Sequence, residues 1–213
     1  TEEMIENDLY DVIGERNARA LARSMRVTKE TVGANVYNRA FNSSYTGGDG
    51  VSLINASHPN VAGGTWSNTL ATAADLSEAS LEQACIDIMK WEDDRGLPVQ
   101  IMPKSLVIPV DETFNAERIL KSNLRSGTAN NDTNALNNMG KFDDIVSSVY
   151  LTDPDAWFIR TDCQDGMKYF ERKADDFSMD NDFDTSNYKY KAVGRYSFGW
   201  SDPRGLYGSE GAA

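Results

Sequence analysis

Histidine, cysteine and closely spaced carboxylates are the residues through which a chain most often does chemistry, and in this one they are sparse and scattered. His58 is the single histidine, and Cys85 and Cys163 are the two cysteines. Neither cysteine belongs to a C-x-x-C pair or lies near His58, which speaks against a zinc site. His58 is followed by Pro59 in a turn-forming stretch, and no G-x-S-x-G elbow exists for it to serve. It reads as a structural residue and not a general base. Cys85 lies among apolar residues at helical spacing, which predicts a reduced, buried thiol. The best metal candidate is the acidic run from Asp175 to Asp184, where Asp180, Asp182 and Asp184 alternate as calcium-loop ligands do. The sixth loop position is Thr185 where glycine is needed, and the twelfth is Lys191 where a bidentate glutamate should stand. The run therefore reads as a solvated acidic loop. Gly47-Gly48-Asp49-Gly50 has the wrong spacing for either glycine-rich phosphate loop. These residues predict no catalytic group, no metal and no cofactor.

One charged pattern is organised. Arg16, Arg19, Arg23 and Arg26 fall three or four apart, so a helix carries them on one face. Two readings stand: a docking strip for acidic segments of a neighbouring chain, or a solvated face.

The elements that must carry these residues follow from pattern. A chain of 213 residues, 40% hydrophobic and 25% charged, buries a sizeable core in one domain or two small ones. Its net charge of -12 argues against a surface built to hold nucleic acid phosphates. The acidic start TEEMIEND lacks the regions of a secretory signal and no run of 18 apolar residues occurs, so the expectation is a chain that neither spans nor enters a membrane. Apolar residues at helical spacing from Glu2 to Asn38 predict one long helix, with Gly14 and Gly33 as points where it would bend. From Ala40 to Ala74, glycines and Pro59 forbid a long element, leaving short strands around Val51 to Ile54. A second helix is expected from Asp75 or Ser77 to Arg95. A strand broken by Pro103 should follow over Val99 to Val110, then a short helix over Glu112 to Ser122 burying Phe114, Ile119 and Leu120. Asn123 to Gly140 reads as a long flexible loop anchored only by Leu124, Leu136 and Met139. Strands are expected over Ile145 to Leu151, Trp157 to Arg160, Lys168 to Arg172 and Tyr188 to Trp200.

Four stretches in order, NRAFNSSYTGGDGVSLINASHPNVAGGTWSN, LSEASLEQACIDI, VIPVDETFNAERILKS and FDTSNYKYKAVGRYSFGWSDPRGLYGS, resemble the major head subunit of tailed phages of the Mu-like group. Within them stand Asn38-Arg39-Ala40-Phe41, Asp49-Gly50, His58-Pro59, Gly63-Gly64 and Asp202-Pro203-Arg204-Gly205. No single motif is specific; their order and spacing carry the likeness. The resemblance implies an α+β capsid fold of the Hong Kong 97 phage type, with a long spine helix and long strands in a peripheral domain beside an axial α/β domain. It implies the spine helix and the start of the peripheral domain over 1–75, the axial domain over 76–160 and returning strands over 161–213. It further implies a structural protein, not an enzyme, whose copies form pentamers and hexamers of an icosahedral shell around double-stranded DNA, held by non-specific enclosure. Scaffold, portal and decoration proteins would be further partners, the virion its location and the bacterial cytoplasm its place of synthesis. Arg16, Arg19, Arg23 and Arg26 would then be inter-subunit contacts. Against the family pattern, the chain starts almost at the spine helix, without the N-terminal arm and extended loop that clasp neighbours, so it is expected to be a fragment or processed product. Two other classes stay open: an encapsulin-type shell around a protein cargo, and a metal-dependent hydrolase using Asp175 to Asp184.

Overall fold

The computed structural model describes residues 13–125, 130, 132–182, 184 and 187–212. It divides into two compact units, one of Thr1–Gly33 and Tyr169–Phe198, the other of Ala34–Lys168 and Gly199–Ala213.

The first unit holds most of helix α1, Glu15–Asn38. The helix is entered through a π-type turn at Ile13 and Gly14, while residues 2–12 of the expected helix lie outside the described ones. Gly33 does not interrupt it: the helix continues to Asn38, and a Cβ at Gly33 would stand 3.4 Å from the ring of Phe198. A methyl group there would only touch the ring. Two long strands, β6 (Met167–Asp182) and β7 (Asn187–Trp200), form a two-stranded sheet. β6 corrects two expectations. The strand foreseen over Lys168 to Arg172 has 16 residues, and the acidic run foreseen as a loop is strand as far as Asp182. A two-stranded sheet leaves side chains on both faces near water, so alternating carboxylates do not break it.

The second unit is built on a four-stranded sheet of order β4-β3-β5-β8, from β3 (Pro103–Pro109), β4 (Asp144–Ser148), β5 (Trp157–Thr161) and β8 (Leu206–Ser209). β3 and β4 are parallel, whereas β5 runs antiparallel to both β3 and β8. Both faces of the central strands are covered. Leu106, Ile108, Trp157 and Ile159 join a core with helices α2 (Glu78–Met89) and α3 (Thr113–Lys121). Val107 and Phe158, one residue out of phase, join Ala40, Leu53, Ile54 and Leu206 on the other side. This double burial is why β3 reads as an unbroken apolar run. A two-residue ladder pairs β1 (His58–Pro59) with β2 (Thr65–Trp66).

Several boundaries differ from the sequence pattern. α2 begins at the expected cap, where Ser77 and Ser80 bond each other's backbone N–H, but stops at Met89 and not Arg95. The side chain of Asp93 accepts from the backbone N–H of Arg95 and Leu97, and this local turn competes with further helix. β3 starts at Pro103, where a proline costs no ladder bond, and not at Val99. Around Val51 to Ile54 there is only an isolated bridge from Ser52 to Thr46. Within 123–140 a short helix α4, Ala135–Met139, is capped by Asn134 and anchored by the buried Leu136, while Leu124 and Met139 are exposed. Phe114, expected in the core, is 78% exposed, because α3 presents Ala116, Ile119 and Leu120 to the sheet instead.

Candidate assembly surfaces

His58 is buried in β1 and not poised on a turn. Its Nδ1 lies 2.6 Å from Oδ2 of Asp49, its Nε2 lies 3.1 Å from Oδ1 of Asn68, and its ring stacks on Trp66. Both ring nitrogens are engaged by protein oxygens, so neither is presented to a substrate. Asn68 is the centre of this node. Its amide nitrogen donates to the carbonyls of Leu53, Leu206 and Pro203, and its Oδ1 also accepts from the backbone N–H of Asn55. Beside it, the Arg204 guanidinium lies over Trp66 at 4.5 Å and donates to the carbonyl of Glu92 and to Asp94. These contacts tie the glycine-rich stretch before residue 75 to the chain end at β8. The family-like segments with His58-Pro59 and Asp202-Pro203-Arg204-Gly205 thus serve architecture.

Cys85 is buried as expected, and burial pushes its thiol up to about 11. Burial and the hydrogen bond to Asp87 likewise raise Tyr207 well above the usual tyrosine value. Among the described residues no group of three or more histidines, cysteines and carboxylates could hold a metal ion, and no described helix is long and apolar enough to cross a membrane.

Arg16, Arg19, Arg23 and Arg26 all sit exposed on α1. At about 100° per residue they occupy an arc of roughly 80° on the helix. Arg19 pairs with Glu15 at 2.8 Å. The other three have no ion pair among the described residues. Lys29, three residues beyond Arg26 and about 60° from it around the helix, is different. Lys29 lies 5.1 Å from the ring centroid of Tyr169 and 5.5 Å from that of Tyr196, and 3.8 Å from a carboxylate oxygen of Glu171. Hydrogen bonding to Tyr169, with the charge of Glu171, holds Lys29 above the usual lysine value. Sequence reading found the arginine stripe but missed this lysine, whose partners Tyr169, Glu171 and Tyr196 are distant in the chain.

Sequence reading also missed an apolar surface on the sheet unit. Val110, Phe114, Val146 and Val149 are exposed there, Val146 within the edge strand β4 and the others in the segments that follow β3 and β4. Exposed apolar surface of this kind marks contact with other molecules.

Comparison with known proteins agrees. A family model described as phage capsid protein matches residues 1–209. No curated protein matches. Six chains of known structure match. One, from Mycobacterium phage Che8, is 19% identical at a TM-score of 0.41, over 66% of this chain and 52% of that one. The present chain thus spans about half the length of that structure.

Proposed function

The chain belongs to the phage capsid protein family, and from that premise we propose that it is a shell-forming major head subunit whose copies enclose double-stranded DNA in an icosahedral particle. The observation that carries the reading is the family match across residues 1–209. The surfaces support it, since exposed charge and exposed apolar residues are what a subunit buries on assembly. The fold proposed is of the Hong Kong 97 phage type. In it the long helix α1 and the long strands β6 and β7 act as the spine and strands of the peripheral domain, and the sheet unit supplies the axial domain. The division at 75/76 and 160/161 is then one of role in the shell, distinct from the two compact units.

On this reading the protein is made in the host cytoplasm and ends in the virion, and it holds DNA by enclosure. Scaffold, portal and decoration proteins are its further partners, and Arg16, Arg19, Arg23 and Arg26 are contacts between subunits. A net charge of -12 suits a container that must release its genome. The test is electron microscopy of particles formed by the purified protein, with nuclease treatment of their contents. Closed shells with nuclease-protected DNA from infected cells are expected. Shells filled with protein, or no shells at all, would overturn the reading.

A further inference from the structure

β4 is an edge strand of the four-stranded sheet. Its parallel register with β3 ends at Pro109 opposite Ser148, where both segments leave the sheet, and the Thr113 hydroxyl lies 2.8 Å from that of Ser147. The start of α3 is therefore fastened to this edge. Phe114 at 78% exposure and Val149 at 72% stand out beside it, Val110 is exposed just past β3, and Val146, paired with Val107, is exposed on the other face of the sheet. Three exposed carboxylates, Asp143 and Asp144 at one end and Asp111 at the other, flank the apolar residues, and none has an ion pair among the described residues. Exposed apolar side chains beside an edge strand are a surface proteins normally cover, and the uncompensated acid sets the charge a partner must bring.

We propose that a second copy of this chain covers it, laying the arginine-bearing face of α1 along the β4 edge. The inference rests on the reading of the chain as a shell subunit and names the partner surface of the stripe. Charge complementarity selects the occupant: Arg16, Arg23 and Arg26 lack ion pairs among the described residues, as the three aspartates do. Several acids of β6 fit the stripe less well, because Glu171, Asp176 and Asp182 already face Lys29, Lys173 and Lys189 within the chain. Lengths agree too. Arg16 to Arg26 spans about 15 Å of helix, and Asp144 to Val149 about 17 Å of strand. The exposed Val27 lies one turn beyond Arg23 and supplies an apolar contact for Phe114. Because the two surfaces are different parts of the chain, the contact is heterologous, the kind that closes into rings.

Complementary charge reversal tests it in the full chain. One variant carries Arg16→Glu, Arg23→Glu and Arg26→Glu; the other carries Asp111→Lys, Asp143→Lys and Asp144→Lys. Each is expected to keep the wild-type circular dichroism spectrum and to self-associate about tenfold more weakly or worse in sedimentation velocity. An equimolar mixture should recover association, since each reversed surface then meets its complement on the other variant. Either folded variant associating like wild type, or a mixture that fails to recover, overturns the contact. Should a reversal prevent folding, Phe114→Ser, at an exposed position, decides: unchanged association overturns the proposal. Shells formed by the reversed variants would remove this contact alone, whereas a wild-type chain that forms no shells removes the shell-subunit reading itself.

Discussion

At the scale of single residues, the most demanding position is Asn68. It is wholly buried, and its side chain shares two amide hydrogens among three carbonyls and accepts at Oδ1 beside one backbone N–H and a ring nitrogen of His58. Truncation to alanine leaves those groups unpaired in a dry interior, where each costs about 1–3 kcal/mol. Asn68→Ala should therefore lower stability by roughly 3–5 kcal/mol, read as a fall in the urea midpoint at unchanged slope; a loss under 1 kcal/mol would mean that water replaces the amide. The two thiols should also behave differently. Cys163 is half-buried and Cys85 buried, so a thiol reagent at neutral pH should modify Cys163 first and reach Cys85 only on unfolding. As the pH rises from about 9 to about 11, the unfolded chain loses the Cys85 proton while the folded chain keeps it. The contribution of Cys85 to stability is thus present below pH 9 and declines through that window. Replacing Cys85 with alanine should flatten that part of the stability profile.

At the scale of elements, glycines decide how closely two segments cross. A Cβ on Gly205 would collide with the backbone of Gly166 and come within 2.8 Å of the Met167 nitrogen. Neither segment has a flexible side chain to move aside, so Gly205→Ala must displace the turn that feeds β8. We expect a loss of about 3 kcal/mol or more, in the range of overpacked cores. Gly199 in β7 opens onto empty space, and Gly199→Ala should change the melting temperature by no more than a few degrees. Equal effects of the two substitutions would refute the crossing as the cause. Gly33 lies between these cases: alanine there gains helix propensity of up to about 1 kcal/mol against ordinary contact with Phe198, whereas leucine should displace that ring.

At the scale of the whole molecule, assembly by weak charged contacts has a signature in salt. Each exposed pair contributes only about 0–1 kcal/mol, but a shell repeats the contact many times, and multivalency turns small terms into a decision between assembly and dispersal. If the arginine stripe and the β4 edge meet, the yield of shells should fall as salt rises through the range where the Debye length shrinks below about 10 Å. Arg19→Glu with Arg23→Glu should lower the yield further, with the effect largest at low salt. Wild-type yield from that double variant at every salt concentration would leave the stripe as a solvated helical face.

The sequence by itself determined the elements whose signal is local. Helical spacing located α1 and α2, Ser77 marked a cap, and isolation of His58 and the cysteines argued against catalysis. The order of its segments disclosed the family. What it did not disclose depended on partners distant in the chain. The acidic run looked like a loop because a two-stranded sheet tolerates charge on both faces and leaves no alternating apolar pattern. Phe114 looked like core because a short helix turned by one residue exchanges buried for exposed positions, and only packing against β3 and β5 fixes that rotation. A strand from Ile145 was legible, but that β4 lies at the edge of the sheet, beside β3 and the start of α3, had no signal in the sequence. Parallel neighbours are set by tertiary pairing across more than 30 residues, and a contact surface made of such neighbours exists only once the sheet has formed.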